Sequence, residues 1–403
     1  MTDSKPTSRT RRTVTRTILF LAVGSLIGFG VYGYLVRRNV RILKKADRYL
    51  TIGENPGAAE ELARQVLFLE PENHEAIVVL GTALNQQKKF DEAINAFQRV
   101  PRSSESYPEA GYGAAACLMF DGRYVEAESL LTTLLELHSS FDSARELLRT
   151  LYIRTYRVRE ALELVSKRYR QIPDDLTYLP LVLKTATEFP SGLGIENELA
   201  TYNRRFPRQP AIVGALARAY WLKGKTEEAD GHFRELVQLA NPVPVNLAWA
   251  AQFWVETGDL ARAETALDRA EASLGNAVVP PYQMSAIRSS QAALAYAKHD
   301  YEQTQELLDE AIALCPDEPS YYSKRAVVRR RLGDQPGARE DNATGMRLGA
   351  SVEELRRLAS RVNNGDVSPE VCENVSKQLA ELGDREFSTA WRRLAVVLAG
   401  RRL

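Results

Sequence analysis

Alanine recurs in this chain at a spacing of 34 residues. Ala59, Ala93, Ala127, Ala161, Ala229 and Ala263 share one register, and Ile195 takes the remaining place in the series. Leu50, Leu84, Leu118, Tyr152, Ala186, Tyr220 and Trp254 keep a second phase, and Ala63, Phe97, Leu131, Val165, Leu199, Phe233 and Leu267 a third. A chain that holds small and bulky classes apart over so many steps is not building one central core. Each unit must bury its apolar face on its neighbours. Residues 210–241 show the local form: Val213, Leu216, Ala217 and Tyr220 at helical spacing, a break at Gly224-Lys225, then a second helical run through Ala229, Phe233 and Leu236. That pattern predicts an antiparallel helical hairpin.

The small position, the aromatic position and the Ala-x-x-x-Phe of Ala93/Phe97 and Ala229/Phe233 resemble the tetratricopeptide repeat over roughly residues 40–350. The resemblance implies an all-α fold, a right-handed superhelical solenoid of helix-turn-helix units. About seven units are expected over 40–275, and a register break with two further units over 276–350. Capping helices over 351–403 would shield the last apolar face. The fifth unit departs from the pattern, because Pro180 falls in its first helix and Phe189-Pro190-Ser191-Gly192-Leu193-Gly194 replaces the short turn. Proline costs ~3 kcal/mol inside a helix, so that helix is expected to start at or just before Pro180. Pro280-Pro281 and Gly275 mark the later break.

Ahead of the repeats, a basic tail (residues 1–17) precedes an uncharged run over 18–36, followed at once by Arg37-Arg38. At ~1.5 Å per residue this run matches the ~30 Å hydrocarbon core and is expected to form one transmembrane helix. Cleavage as a signal peptide would call for a shorter apolar core and a better small-x-small site than Gly28-Phe29-Gly30. Five Lys/Arg precede the run and six follow it closely, so the positive-inside rule gives little bias. The charged tail favours an extracytoplasmic body at a bacterial inner membrane. Gly24 and Gly28 form Gly-x-x-x-Gly, which would allow a homodimer through the span.

The chain carries a net charge of +1. Its first 50 residues hold eleven Lys/Arg against Asp3 and Asp47, a charge of +9, so the rest carries −8 and is unsuited to nucleic acid. Cys117, Cys315 and Cys372 form no Cys-x-x-Cys pair, and His74, His138, His232 and His299 are scattered. The cysteines read as buried free thiols, and no disulfide framework, metal or cofactor is implied. No convergent acid, base and nucleophile set is recognisable, so the chain is expected not to be an enzyme.

The family resemblance implies that first helices line a concave groove. The matching positions are Tyr112, Ala116, Met119 and Phe120 in the third unit, Ile153 in the fourth, and Arg218, Trp221, Gln252 and Val255 in the sixth and seventh, with Trp249 one position off. Such a groove suits an apolar helix or extended segment of a protein partner. Some members clamp a C-terminal carboxylate. Lys44 and Arg48 would fit that clamp, but Val79 and Gly113 stand where polar residues are required. The expected role is a membrane-anchored scaffold in assembly or quality control of an envelope complex. The alternatives are a holdase-like secretion factor, or an exported binding protein if the apolar segment is cleaved.

Overall fold

Residues 37–53, 55–187, 195–205, 207–274 and 279–400 are described by the structure, a computed structural model, and every regular element among them is a helix. The chain divides into two compact units, Met1–Asp121 and Gly122–Leu403. The apolar run over 18–36, with Gly24 and Gly28, lies outside the described residues. No helix among the described residues is long and apolar enough to cross a membrane.

The described part of the first unit comprises α1 (37–52), α2 (Pro56–Leu69), α3 (His74–Gln86), α4 (Phe90–Phe97) and α5 (Tyr107–Asp121). Asn55 and Asn73 cap α2 and α3 by accepting from the amides of Ala58 and Ala76, each at 2.9 Å. Its core is built around Phe97, 2 % exposed. The Phe97 ring fills the space that side chains at Gly81 of α3 and Gly113 of α5 would need; a Cβ at Gly81 would lie 2.6 Å from the ring. Gly113→Ala is therefore expected to destabilise this unit by about 1–3 kcal/mol through overpacking. Phe97→Leu in the same chain should recover part of that loss in denaturant unfolding, and no recovery would place the strain elsewhere.

The second unit continues with α6 (Tyr124–Leu137), α7 (Asp142–Arg154), α8 (Val158–Gln171), α9 (Leu179–Thr187), α10 (Ile195–Arg205), α11 (Pro210–Leu222), α12 (Thr226–Gln238), α13 (Pro244–Thr257) and α14 (Leu260–Leu274). It then runs through α15 (Pro281–Ala297), α16 (Tyr301–Leu314), α17 (Pro319–Arg331), α18 (Gln335–Asn363), α19 (Pro369–Glu381) and α20 (Arg385–Gly400). Prolines open α11, α13, α15, α17, α18 and α19, where the missing amide is not needed. Pro180 lies in the first turn of α9, after a short 3-10 turn at Leu176–Tyr178. All six alanines of the 34-residue series are fully buried.

The turns keep the same period. Lys88, Gly122, Tyr156, Gly224 and Gly258 all take positive φ, and the place between Tyr156 and Gly224 falls on Pro190, outside the described residues. His299 and Gly333 continue the pattern with the same spacing after the break. Glycine adopts this left-handed conformation without penalty, whereas a buried tyrosine there is an outlier.

The C-terminal helices do not follow the expected division at 350/351. α18 runs uninterrupted through that point, because Leu348, Ser351, Leu355, Leu358, Ala359 and Val362 continue one buried stripe. The ~1 kcal/mol cost of Gly349 in a helix interior is too small to break it. Nor do these helices only cover the preceding repeat. Leu355, Leu358, Val371, Val375, Phe387 and Trp391 share one core with Val165, Tyr169, Leu179, Val182 and Leu183 of α8 and α9. The Tyr169 and Phe387 rings lie 5.2 Å apart. Arg170–Glu386 (3.1 Å) and Arg393–Asp174 (2.7 Å) flank the contact. The end of the second unit thus packs back on α8 and α9, near that unit's beginning.

Candidate partner-binding site

α11 and α13 are the first helices of adjacent hairpins and pack side by side. Gly214 permits their approach, since a Cβ there would overlap the Asn246 side chain. On α11, Ala211, Ala215, Ala217 and Ala219 are buried, and on α13 Ala248, Ala250 and Ala251 are. With Ile212, Val213, Leu216, Leu247, Phe253 and Trp254 buried beside them, one less buried face carries Arg218 and Trp221 at i and i+3, and Trp249, Gln252 and Glu256 at i, i+3 and i+7.

These side chains meet. The Arg218 guanidinium lies 4.0 Å from the centre of the Trp249 ring and 5.9 Å from that of Trp221. Trp221 donates its indole N–H to Glu256 Oε2 at 3.2 Å, and Gln252 Nε2 donates to Glu256 Oε1 at 3.3 Å. Edge-on contacts at 6.0 and 6.2 Å seat Trp221 on Phe253 and Phe233 of the core below. Val255 and Trp249 are half-buried against the same core.

Arg218 has no ion pair with a carboxylate among the described residues. Its side chain is only partly exposed and crowded by protein atoms. That desolvation lowers its pKa to about 10, against a smaller opposing effect of Tyr156. Arg157 makes the contrast: burial works against its charge too, but Glu128 at 2.7 Å and Glu160 at 3.0 Å outweigh it and raise the pKa. A desolvated cation without a carboxylate is costly. The two indole faces offset part of this, at roughly 0.5–2 kcal/mol for each cation–π contact. Farther along the row of first helices, Lys324 of α17 donates to Ser289 Oγ of α15 at 2.9 Å. Burial lowers the Lys324 pKa, with Glu318 and Glu256 opposing it.

Five of the ten expected groove residues therefore come together, Arg218, Trp221, Trp249, Gln252 and Val255, while Ala116 is half-buried on α5. Ile153 and Met119 are each 7 % exposed and belong to the core, not to a surface, because their helices are flanked on that side as well. Tyr112, Met119 and Phe120 lie on α5 of the first unit. There Tyr112 is half-buried, and Phe120 is exposed and stacks on Phe90 at 6.2 Å. Sequence reasoning missed Tyr156, Glu256 and Lys324. Glu256 could have been found as the i+4 partner of Gln252 and the i+7 neighbour of Trp249. Tyr156 comes from a turn and Lys324 from a hairpin beyond the register break, and no local pattern announces either.

Models of the tetratricopeptide repeat match residues 43–110 and 211–244. No curated protein matches the chain. Among solved structures, the hetero-tetramer Cut9–Hcn1 of the APC/C aligns at 11 % identity over 88 % of this chain and 89 % of that one, with a TM-score of 0.37. A tetratricopeptide repeat protein from Parabacteroides merdae aligns at 14 % identity over 72 % and 99 %, with a TM-score of 0.31. The tetratricopeptide repeat domain of P58(IPK) aligns at 13 % identity over 81 % and 99 %, with a TM-score of 0.27. Superpositions this loose say nothing of shape or partner. The repeat-model matches, the helical hairpins and the buried 34-residue ladder agree on one point: this chain carries tetratricopeptide repeats.

Proposed function

We propose that the chain is a membrane-anchored scaffold whose second unit takes a segment of a protein partner across α11 and α13. The observation that carries this reading is Arg218, a desolvated cation without a carboxylate partner among the described residues, set between two half-buried tryptophans. Aromatic and arginine side chains in such surroundings are the usual anchors of an interface. The anchor itself is the uncharged run over 18–36, and Gly24/Gly28 would let two such helices approach. A scaffold held at the membrane in this way suits assembly or quality control of a membrane-associated complex.

A photo-crosslinking residue in place of Gln252 tests the reading in cells that make the protein, with Val396, 67 % exposed on α20, as the control position. The expected result is a discrete adduct from position 252 alone that disappears when Arg218→Glu is added. The same adducts from both positions, or none from position 252, would refute it.

A further inference from the structure

Among the described residues the most exposed large apolar side chain is Phe68, 85 % exposed, next to Leu69 at 47 %. Both close α2, and the end of α2 lies against the beginning of α1: Asn39 Nδ2 donates to Glu70 Oε1 at 2.8 Å. Arg38, Glu61, Arg64, Gln65, Phe68 and Leu69 line one open groove there. The uncharged run ends at Val36, so Arg38 is two residues beyond it, within ~7 Å along the chain. Whatever touches Arg38 is held close to the end of that run.

The charge at this end is one-sided. Arg37, Arg38, Arg41, Lys44, Lys45 and Arg48 are all exposed on α1, and Asp47 is its only acid. None of the six forms an ion pair with a carboxylate among the described residues. Arg64 holds Glu60 at 2.8 Å, and Glu70 accepts from Asn39 and Asn73. Among the described residues, Glu61 also lines the groove and Glu72 follows α2, too few to neutralise the cluster. Lys44, Lys45 and Arg48 lie one to two turns or more farther along α1, where an anionic surface is increasingly screened.

We propose that this end of the first unit rests on an anionic bilayer, with Phe68 and Leu69 in the headgroup layer and Arg37, Arg38 and Arg41 on lipid phosphates. The proposal rests on the reading that residues 18–36 cross the membrane. Apolar side chains flanked by basic ones match the chemistry of such an interface. Each arginine near the surface is worth roughly a fivefold gain in partitioning. Held there, the first unit would be fixed in orientation, not swinging from its anchor.

A spin label at Phe68→Cys in the full chain tests this, since Cys117, Cys315 and Cys372 are buried. A label at Met346→Cys, 77 % exposed in the second unit, is the reference. In nanodiscs of phosphatidylcholine and phosphatidylglycerol, the label at 68 should be shielded from a water-soluble nickel chelate and open to oxygen, less so in phosphatidylcholine alone. A label as open to nickel as the reference, in a chain that floats with vesicles in high salt, would overturn the surface and leave the anchor standing. Shielding without lipid would mean that protein covers Phe68 and would overturn it too. Loss of flotation in high salt would remove the anchor instead. The surface then stands if low-salt flotation on anionic vesicles is abolished by Phe68→Asp, and falls otherwise.

Discussion

Trp254→Ala is expected to lower the stability of the second unit by about 3–5 kcal/mol, through lost burial and the cavity left behind. Trp254 is 2 % exposed, packs 6.2 Å from the Phe233 ring and donates its indole N–H to Asp230 Oδ1 at 2.8 Å. Trp254→Phe keeps most of the volume, so it isolates the hydrogen bond, worth about 1.5–3 kcal/mol to a charged acceptor. Arg234 and Arg262 still hold Asp230 in that variant, which should keep the loss at the low end. Trp249, five residues earlier, lies half-buried under Arg218, and Trp249→Ala should cost far less stability. Its larger cost, above ~2 kcal/mol, should fall on partner binding. Repeat arrays need not unfold in one step, so denaturant midpoints are best read together with residue-level hydrogen exchange. If Trp249→Ala proved as destabilising as Trp254→Ala, Trp249 would belong to the core and the partner site would lose its platform.

The fold was legible because each step of 34 residues returns to the same environment. A position that must be small in one hairpin must be small in the next, and the series from Ala59 to Ala263 is buried throughout. The turns follow the same rule, which is why glycine recurs at 122, 224 and 258. Register is less informative about surfaces. It places Met119 and Ile153 on the same side of a first helix as Arg218 and Trp221, but it does not say whether another element covers that side. Around α5 burial extends from Ala110 and Ala114 to Leu118 and Met119, so the phase assigned to a groove is core. Arg218, Trp221, Trp249 and Gln252 were legible because the repeat register puts them at or beside the groove positions of first helices, whose other faces carry buried apolar residues such as Val213, Leu216, Leu247 and Trp254. Their surroundings were less so, since Tyr156 and Lys324 reach the row from a turn and a later hairpin. Amphipathic helices after residue 350 were also plain from the sequence. An apolar stripe shows that a face is buried without naming what buries it, and here the cover is nearly 200 residues upstream in α8 and α9.

Trp391→Ala is expected to loosen two stretches at once. Trp391 is 1 % exposed in the core shared by α18–α20 with α8 and α9, and its loss should cost about 3–5 kcal/mol. The ion pairs around that core cannot compensate. Arg170–Glu386 and Arg393–Asp174 have side chains about half or more exposed, except Arg170 and Glu386 at slightly less, and pairs of that kind contribute at most about 1 kcal/mol. Stability at this junction is therefore apolar. Hydrogen exchange should speed up by roughly two to four powers of ten both in α20 and in residues 165–183, wherever exchange proceeds by opening of this core. Helices that merely capped the preceding repeat would give a different result, with faster exchange in α18–α20 alone and α8 and α9 unchanged. Double replacement of Arg170 and Arg393 by serine should leave exchange in both stretches close to that of the unaltered chain. If the double variant were as disruptive as Trp391→Ala, the return contact would be held by charge, and it would weaken with added salt.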